Sequence, residues 1–369
     1  MSAGPQATVR LSSIEANAKT IQGLLGTDCV PAWVVKDDAY GLGAREIAAR
    51  LGKGRERWYA VAFPEEGAAL REAGVESRIL VLQPPARGEG PLFREYDLVA
   101  TVWGEESLEH LKVPGKSTPG SKTALHVEVD TGMNRGGVAE EDLLDLVEEI
   151  DRRAVFGLDG LYSHLANVRD ADYCAHQRRR FERCLNALRA TGRSPSRIHL
   201  CSSGGIRLGP EYHFNMVRPG LALYGVWPVE TRGGPPLREA LTLSAPLLKV
   251  RAVAAGEWVG YDGAFRADRP MRVGVIAAGY AHGLPRGFPQ RGAVLVRGDR
   301  APCLGVACMD MTLVDLSEIK DASEGDEAVL LGRQGEDEIT LGQMAEWMDC
   351  IPYEALCRLG GLCPRRFVD

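Results

Sequence analysis

Lys36 sits in Trp33-Val34-Val35-Lys36-Asp37-Asp38-Ala39-Tyr40-Gly41, where an apolar, β-branched run gives way to a polar turn. A lysine held at a strand end between apolar walls can release its proton, and the neutral amine then attacks carbonyls or forms a Schiff base. Taken alone, a lysine after a strand is more often a solvated loop charge, so its meaning depends on what shares its rim. Four further segments place polar or cationic groups after apolar runs: Val129-Asp130-Thr131-Gly132-Met133-Asn134-Arg135, Ser163-His164, Cys201-Ser202-Ser203-Gly204-Gly205 and Arg218-Pro219-Gly220-Leu221. Glycine permits a tight loop in the first, able to swing Arg135 inward. Small residues in the last two expose backbone N–H groups that suit a phosphate.

The elements that must position these groups follow from periodicity. Eight strand-like runs are read at 32–36, 58–63, 78–83, 97–103, 123–130, 157–163, 197–202 and 216–224. Helical patterns at 44–51, 65–73, 140–153 and 175–190 lie between them. Eight strand-then-helix units predict an α/β domain, a (β/α)8 or TIM barrel, with function at the C-terminal ends of its strands. A Pro/Gly-rich linker, 227–236, precedes runs at 245–254, 272–278, 293–297, 311–316 and 328–331, with one helix at 341–348 before a Pro352-Tyr353 turn. The predicted architecture is a barrel over 1–230 followed by a mainly β domain over 231–369.

On that barrel, Lys36 ends the first strand while the Ser203 and Gly220-Leu221 loops follow strands seven and eight, where barrels commonly bind phosphate. A Schiff-base lysine facing a phosphate cradle fits a ligand with an aldehyde at one end and a phosphate at the other, which is pyridoxal 5'-phosphate.

Several motifs then occur in one order along nearly the whole chain: V-V-K-x-x-A-Y-G at 34–41, V-D-T-G-M-x-R at 129–135, S-H at 163–164, R-P-G-L-A-L-Y-G at 218–225, G-Y at 260–261, G-Y-A at 279–281, C-M-D at 308–310 and I-P-Y-E at 351–354. In these residues the chain resembles the bacterial alanine racemases, barrel-type (fold type III) pyridoxal phosphate enzymes. The resemblance implies that Lys36 holds the cofactor and serves as base or acid on one face of Cα, with Tyr261 on the other. Racemisation needs such opposition, because a proton lost from one side must return from the other. His164 is the implied partner assisting Tyr261, and Arg218 faces the pyridine nitrogen, keeping it unprotonated. Arg135 lies near the cofactor's phenolic oxygen and the substrate carboxylate. Tyr40, Ser203, Gly220, Leu221 and Tyr353 form the phosphate shell, and Cys308, Met309 and Asp310 a carboxylate-binding turn. Tyr261 and that turn cross a homodimer interface, and the implied role is D-alanine supply for peptidoglycan.

Departures from the family accompany the match. Leu42, Val306, Arg169 and His282 replace the usual histidine, arginine, acidic residue and aspartate around the substrate entrance, and Ser202 replaces a common asparagine. Glu128 stands where the family often carries a carbamylated lysine, and preserves a negative charge able to orient Arg135. A racemase of different specificity, a barrel-type decarboxylase and a non-catalytic pyridoxal phosphate-binding protein are the alternatives. Decarboxylases usually present an acidic residue to the pyridine nitrogen, which Arg218 opposes.

Bulk properties agree with a small-molecule enzyme. At 369 residues, 45% hydrophobic and 25% charged, the chain has room for two domains and a large core. A net charge of −6 argues against nucleic acid or an anionic membrane as partner. The N-terminus resembles no targeting signal and no segment resembles a membrane span, so the expected location is the cytoplasm. Nine scattered cysteines without C-x-x-C, and seven histidines without metal-ligand spacing, predict neither disulfides nor a metal. Cys174, Cys184, Cys350, Cys357 and Cys363 are expected to be packing residues, and His176 to face solvent.

Overall fold

The computed structural model describes residues 4–52, 54, 56–112, 122–228 and 234–369. All eight expected strands form one closed parallel barrel: Val30–Val34, Trp58–Val61, Arg78–Val81, Val99–Val102, Thr123–Glu128, Phe156–Tyr162, Arg197–Ser202 and Met216–Arg218. Near-continuous Val, Leu, Ile and aromatic content suits strands buried on both faces, and Trp33, Trp58 and Tyr59 are fully enclosed. The eighth strand is shorter than its apolar run, because Leu221–Tyr224 winds into a 3-10 turn after Gly220.

A nine-stranded sheet makes up most of the rest, in the order Asp337–Ile339, Glu327–Gln334, Ala293–Val296, Asp299–Leu304, Thr312–Asp315, Met271–Ile276, Leu241–Val253, Gln6–Arg10 and Arg365–Val368. The long strand Leu241–Val253 also pairs with Glu327–Gln334, so six of these strands close on themselves. Gln6–Arg10 precedes the barrel strands yet pairs antiparallel with Leu241–Val253 and parallel with Arg365–Val368. The expected Pro352-Tyr353 turn is instead the first turn of a helix, Pro352–Gly361, which proline can begin because its missing N–H has no intrahelical partner there. The central part of the 227–236 linker, with the 230/231 boundary, lies outside the described residues.

One backbone feature bears directly on the site. Asp37, Asp38 and Ala39 hold φ of 53°, 51° and 57° with ψ near the same size, and Tyr40 has φ 57°, so the chain after Lys36 makes a left-handed helical turn. Each L-residue in this region costs about 1–2 kcal/mol, so neighbours must hold it. The Glu66 carboxylate accepts from the backbone N–H groups of Asp37, Ala62 and Phe63. Asp38 accepts from Ala44 N–H at 2.8 Å and pairs with Arg365, which also donates to Gly41 O at 2.9 Å. The turn brings both Lys36 and Tyr40 to one cavity.

Candidate active site

A cavity of about 590 Å³ opens at the C-terminal ends of the barrel strands. Lys36, Tyr40, Arg135, His164, Ser203, Arg218, Gly220, Leu221 and Tyr353, all expected from sequence, line it. The Lys36 side chain is 38% exposed, with its Nζ 3.9 Å from Asp37 Oδ2.

Arg218 forms the buried floor. Its Nη1 donates to His199 Nδ1 at 2.5 Å, and Nη2 to Ser163 O at 2.8 Å, His164 Nδ1 at 3.2 Å and Leu200 O at 3.3 Å. Its guanidinium also lies 4.9 Å from the Tyr162 ring centroid. Burial lowers the Arg218 pKa, but a guanidinium starts so high that it stays charged. Desolvation, with Arg218, Arg135 and Lys36 nearby, pushes His164 down to about 3. His164 is therefore a neutral imidazole, accepting at Nδ1 and carrying its proton on Nε2.

Two residues beyond Arg218, Gly220 N–H donates to Ser203 Oγ at 2.9 Å, and Ala222 N–H donates to the same oxygen at 3.1 Å, joining the loops of strands seven and eight. A Cβ added at Gly220 would lie 2.3 Å from the Tyr40 hydroxyl oxygen, so only glycine permits this approach. Tyr40 packs tilted against Tyr224 and Tyr353, with centroids 4.9 and 6.1 Å away. Burial raises the Tyr40 and Tyr353 phenols, which therefore keep their protons and are able to donate. Hydroxyls and small residues at one end, the Lys36 amine on the wall and an immobilised cation on the floor fit the phosphate, aldehyde and ring nitrogen of pyridoxal phosphate.

The Arg135 loop is braced by Asp130 Oδ1, which accepts from the N–H groups of Gly132, Met133 and Asn134, and by Tyr173, which donates to Gly132 O at 2.6 Å. Arg135 itself is exposed at the cavity mouth. Glu128 takes its hydrogen bonds from Trp103 Nε1 at 2.6 Å and Tyr162 OH at 3.1 Å, and its direct partners are these two rather than Arg135. Burial, the largest influence, raises the Glu128 pKa despite those donors.

Tyr261, Cys308, Met309 and Asp310 stand away from this cavity. Tyr261 is 63% and Met309 56% exposed. Their local structure is nevertheless built: Asp262 pairs with Arg286, and the carbonyls of Cys308 and Met309 accept from Tyr280 and Ala281 N–H at 3.0 and 2.9 Å.

Sequence reasoning gave no site role to Leu82, Gln83, Trp103, Tyr162 or Ile351, and took Cys357 for a packing residue, yet all six line the cavity. Cys357 is exposed rather than packed, because the helix from Pro352 sets it four residues after Tyr353 on one face. Among the departures, Ser202 and Glu128 line the cavity, whereas Leu42 and Val306 are buried side chains and not features of an open entrance. Arg169 is exposed, and His282 accepts from Gly279 N–H at 3.2 Å. Among the described residues no group of three or more acidic, histidine or cysteine side chains could hold a metal.

Comparison with known proteins adds the family. Residues 9–228 match the alanine racemase N-terminal domain and residues 240–367 the alanine racemase C-terminal domain. The alanine racemase of Carboxydothermus hydrogenoformans is 36% identical over 378 residues, covering 98% of this chain and 99% of that protein. That of Thermodesulfovibrio yellowstonii is 33% identical over 366 residues, covering 98% and 97%. The crystal structure of alanine racemase from E. faecalis superposes with a TM-score of 0.91 at 31% identity, covering 99% of this chain and 98% of that one. The Bartonella henselae enzyme, solved with covalently bound pyridoxal phosphate, gives 0.86 at 28% identity with both chains fully covered. With both domains matched in order across the barrel and the sheet that carry this site, the chain belongs to the alanine racemase family of pyridoxal phosphate-dependent isomerases.

Proposed function

We propose that this racemase interconverts L- and D-alanine by proton exchange between two bases, Lys36 and the partner subunit's Tyr261, in a homodimer with shared sites. The observation that carries the reading is the division of parts. Lys36, Arg218 and the Ser203–Gly220–Tyr40 cradle surround one cavity, while Tyr261 and Met309 sit exposed outside it.

Bound in the cavity, pyridoxal phosphate supplies an aldehyde for the substrate amine and a conjugated ring that draws electron density from Cα. Tyr40, Ser203, Gly220, Leu221 and Tyr353 would hold its phosphate, and Lys36 its aldehyde. Arg218, always a donor, would present N–H to the ring nitrogen and so leave it unprotonated. That weak electron sink limits delocalisation and disfavours side reactions. Arg135 receives the substrate carboxylate together with the turn Cys308-Met309-Asp310 from the partner subunit. Lys36 Nζ takes or returns the proton at one face of Cα and the tyrosine oxygen at the other. His164, neutral with its proton on Nε2, is a hydrogen-bond donor to the phenolate form of that tyrosine.

The barrel over 1–230 thus holds the cofactor, and 231–369 delivers the second base. A cytoplasmic enzyme supplying D-alanine for cell-wall peptides completes the reading. No helix among the described residues is long and apolar enough to cross a membrane. Lys36→Ala should abolish both the cofactor's lysine-linked absorbance and racemisation of alanine. An unchanged spectrum refutes the assignment, and faster turnover of serine, lysine or arginine than of alanine refutes the substrate.

A further inference from the structure

We propose that His199, His126 and Asp159 form a positioning relay through the barrel interior, which fixes the tautomer of His199 and so presents only a lone pair to Arg218. None of the three lines the cavity. The hydrogen-bond chain is continuous: Arg218 Nη1 to His199 Nδ1 at 2.5 Å, His199 Nε2 to His126 Nδ1 at 2.8 Å, and His126 Nε2 to Asp159 Oδ2 at 3.4 Å. Asp159 closes it by accepting from Arg78 at 2.8 Å.

The partners dictate every proton. A guanidinium has no acceptor, so His199 Nδ1 must accept and the ring carries its proton on Nε2. That proton points at His126 Nδ1, which must accept in turn, leaving the His126 proton on Nε2 toward a carboxylate. Arg218 at one end and Asp159 at the other thus impose the same direction. A second proton on either ring would set N–H against N–H. Burial lowers the pKa of both imidazoles, in agreement with two neutral rings.

The fold makes room for the chain in two ways. In the pairing of strands five and six, Leu125 faces Leu158 while His126 faces Gly160, so Asp159 is the extra residue of a β-bulge. Bulges re-aim side chains, and this one sits beside the relay. At Gly160 a Cβ would fall 2.5–2.6 Å from atoms of the His126 ring, so any larger residue would displace the imidazole. Tyr162 stacks on His199 with planes 7° apart and centroids 4.6 Å apart, and Trp58 packs on His126 at 5.4 Å, which restrains both rings.

The functional consequence rests on Arg218 facing the cofactor ring, as read above; the tautomers themselves do not. The test labels histidine with 15N in the full-length protein with its cofactor and identifies, from long-range proton correlations at neutral pH, which nitrogen of each ring is protonated. Both His199 and His126 should carry a proton on Nε2 alone. A proton on Nδ1 of either ring overturns the relay, and this wild-type measurement stands whatever the variants do. Asp159→Leu should lower kcat about tenfold with alanine KM within about twofold, because a small displacement of a positioning group acts on turnover. Asp159→Asn, which keeps an acceptor oxygen for His126, should restore kcat to within about threefold of wild type. Unchanged kcat in the leucine variant, or no rescue by asparagine, overturns the proposal. Separately, an Arg218→Lys enzyme with unaltered cofactor absorbance and activity would refute the placement of Arg218 against the cofactor while leaving the histidine resonances to report on the relay.

Discussion

In the proposed reaction Tyr261 and His164 have unequal parts in the second proton transfer, the tyrosine exchanging the proton and the histidine donating a hydrogen bond. Tyr261 projects into solvent from its own subunit, whereas His164 is held neutral by desolvation and the neighbouring cations. Tyr261→Phe should therefore cut kcat by about 10²–10⁴-fold while cofactor absorbance persists; loss of the cofactor instead would make the tyrosine a structural group. Because His164 protonates only near 3, it is uncharged throughout the physiological range and contributes no limb to the kcat/KM profile between pH 5 and 8. His164→Gln should lower the rate yet leave the shape of that profile unchanged, and a vanished limb would contradict this. Lys36 and Arg218 were legible in the sequence because each follows an apolar run. His199 and Tyr162 were not, since both lie inside strands and matter only through contact with Arg218 across the barrel. Cys357 was hidden because Pro352-Tyr353 reads as a turn, and only as a helix does the interval of four align it with Tyr353.

At the level of elements, the barrel strands were recoverable because each is a short apolar run bounded by polar turns. The strand Gln6–Arg10 was missed for a physical reason: its partners Leu241–Val253 and Arg365–Val368 are far away in sequence, so no local pattern announces them. The left-handed turn was equally hidden, since Asp-Asp-Ala-Tyr contains no glycine and is held there by Glu66, Ala44 and Arg365. The junction with the helix Leu341–Trp347 carries a titrating group. Both Glu239 oxygens accept from Leu341 N–H, at 3.0 and 2.9 Å, and burial raises this carboxyl to about 7. The folded chain therefore holds a proton that the unfolded chain releases near its ordinary value, and stability falls as pH rises from that range through about 7. Glu239→Gln keeps an acceptor without the charge. It should gain stability at pH 8 on the order of 2 kcal/mol relative to wild type and little at pH 4, measured by denaturant unfolding at both.

For the whole molecule, the separation of Tyr261 and Met309 from the cavity of the same chain makes dimer exchange the informative experiment. Lys36→Ala and Tyr261→Phe homodimers should each be inactive. When they are unfolded together and refolded as an equal mixture, half the dimers are mixed, and each of those contains one site with neither lesion. Activity should recover to about a quarter of wild type; no recovery would place both residues in one subunit's site. Each domain has its own closed set of strands, but the sheet also takes in Gln6–Arg10, from before the barrel, and Arg365–Val368. Gln6–Arg10 lies between Leu241–Val253 and Arg365–Val368, so this strand, made before any of the barrel strands, has no partner until Leu241–Val253 has been made and gains its second only with Arg365–Val368. The eight barrel strands can close while that segment still waits. Translation thus sets a timetable in which the barrel can close early, while the pocket it carries is completed only when Tyr353 reaches its wall and Arg365 reaches Asp38 and Gly41.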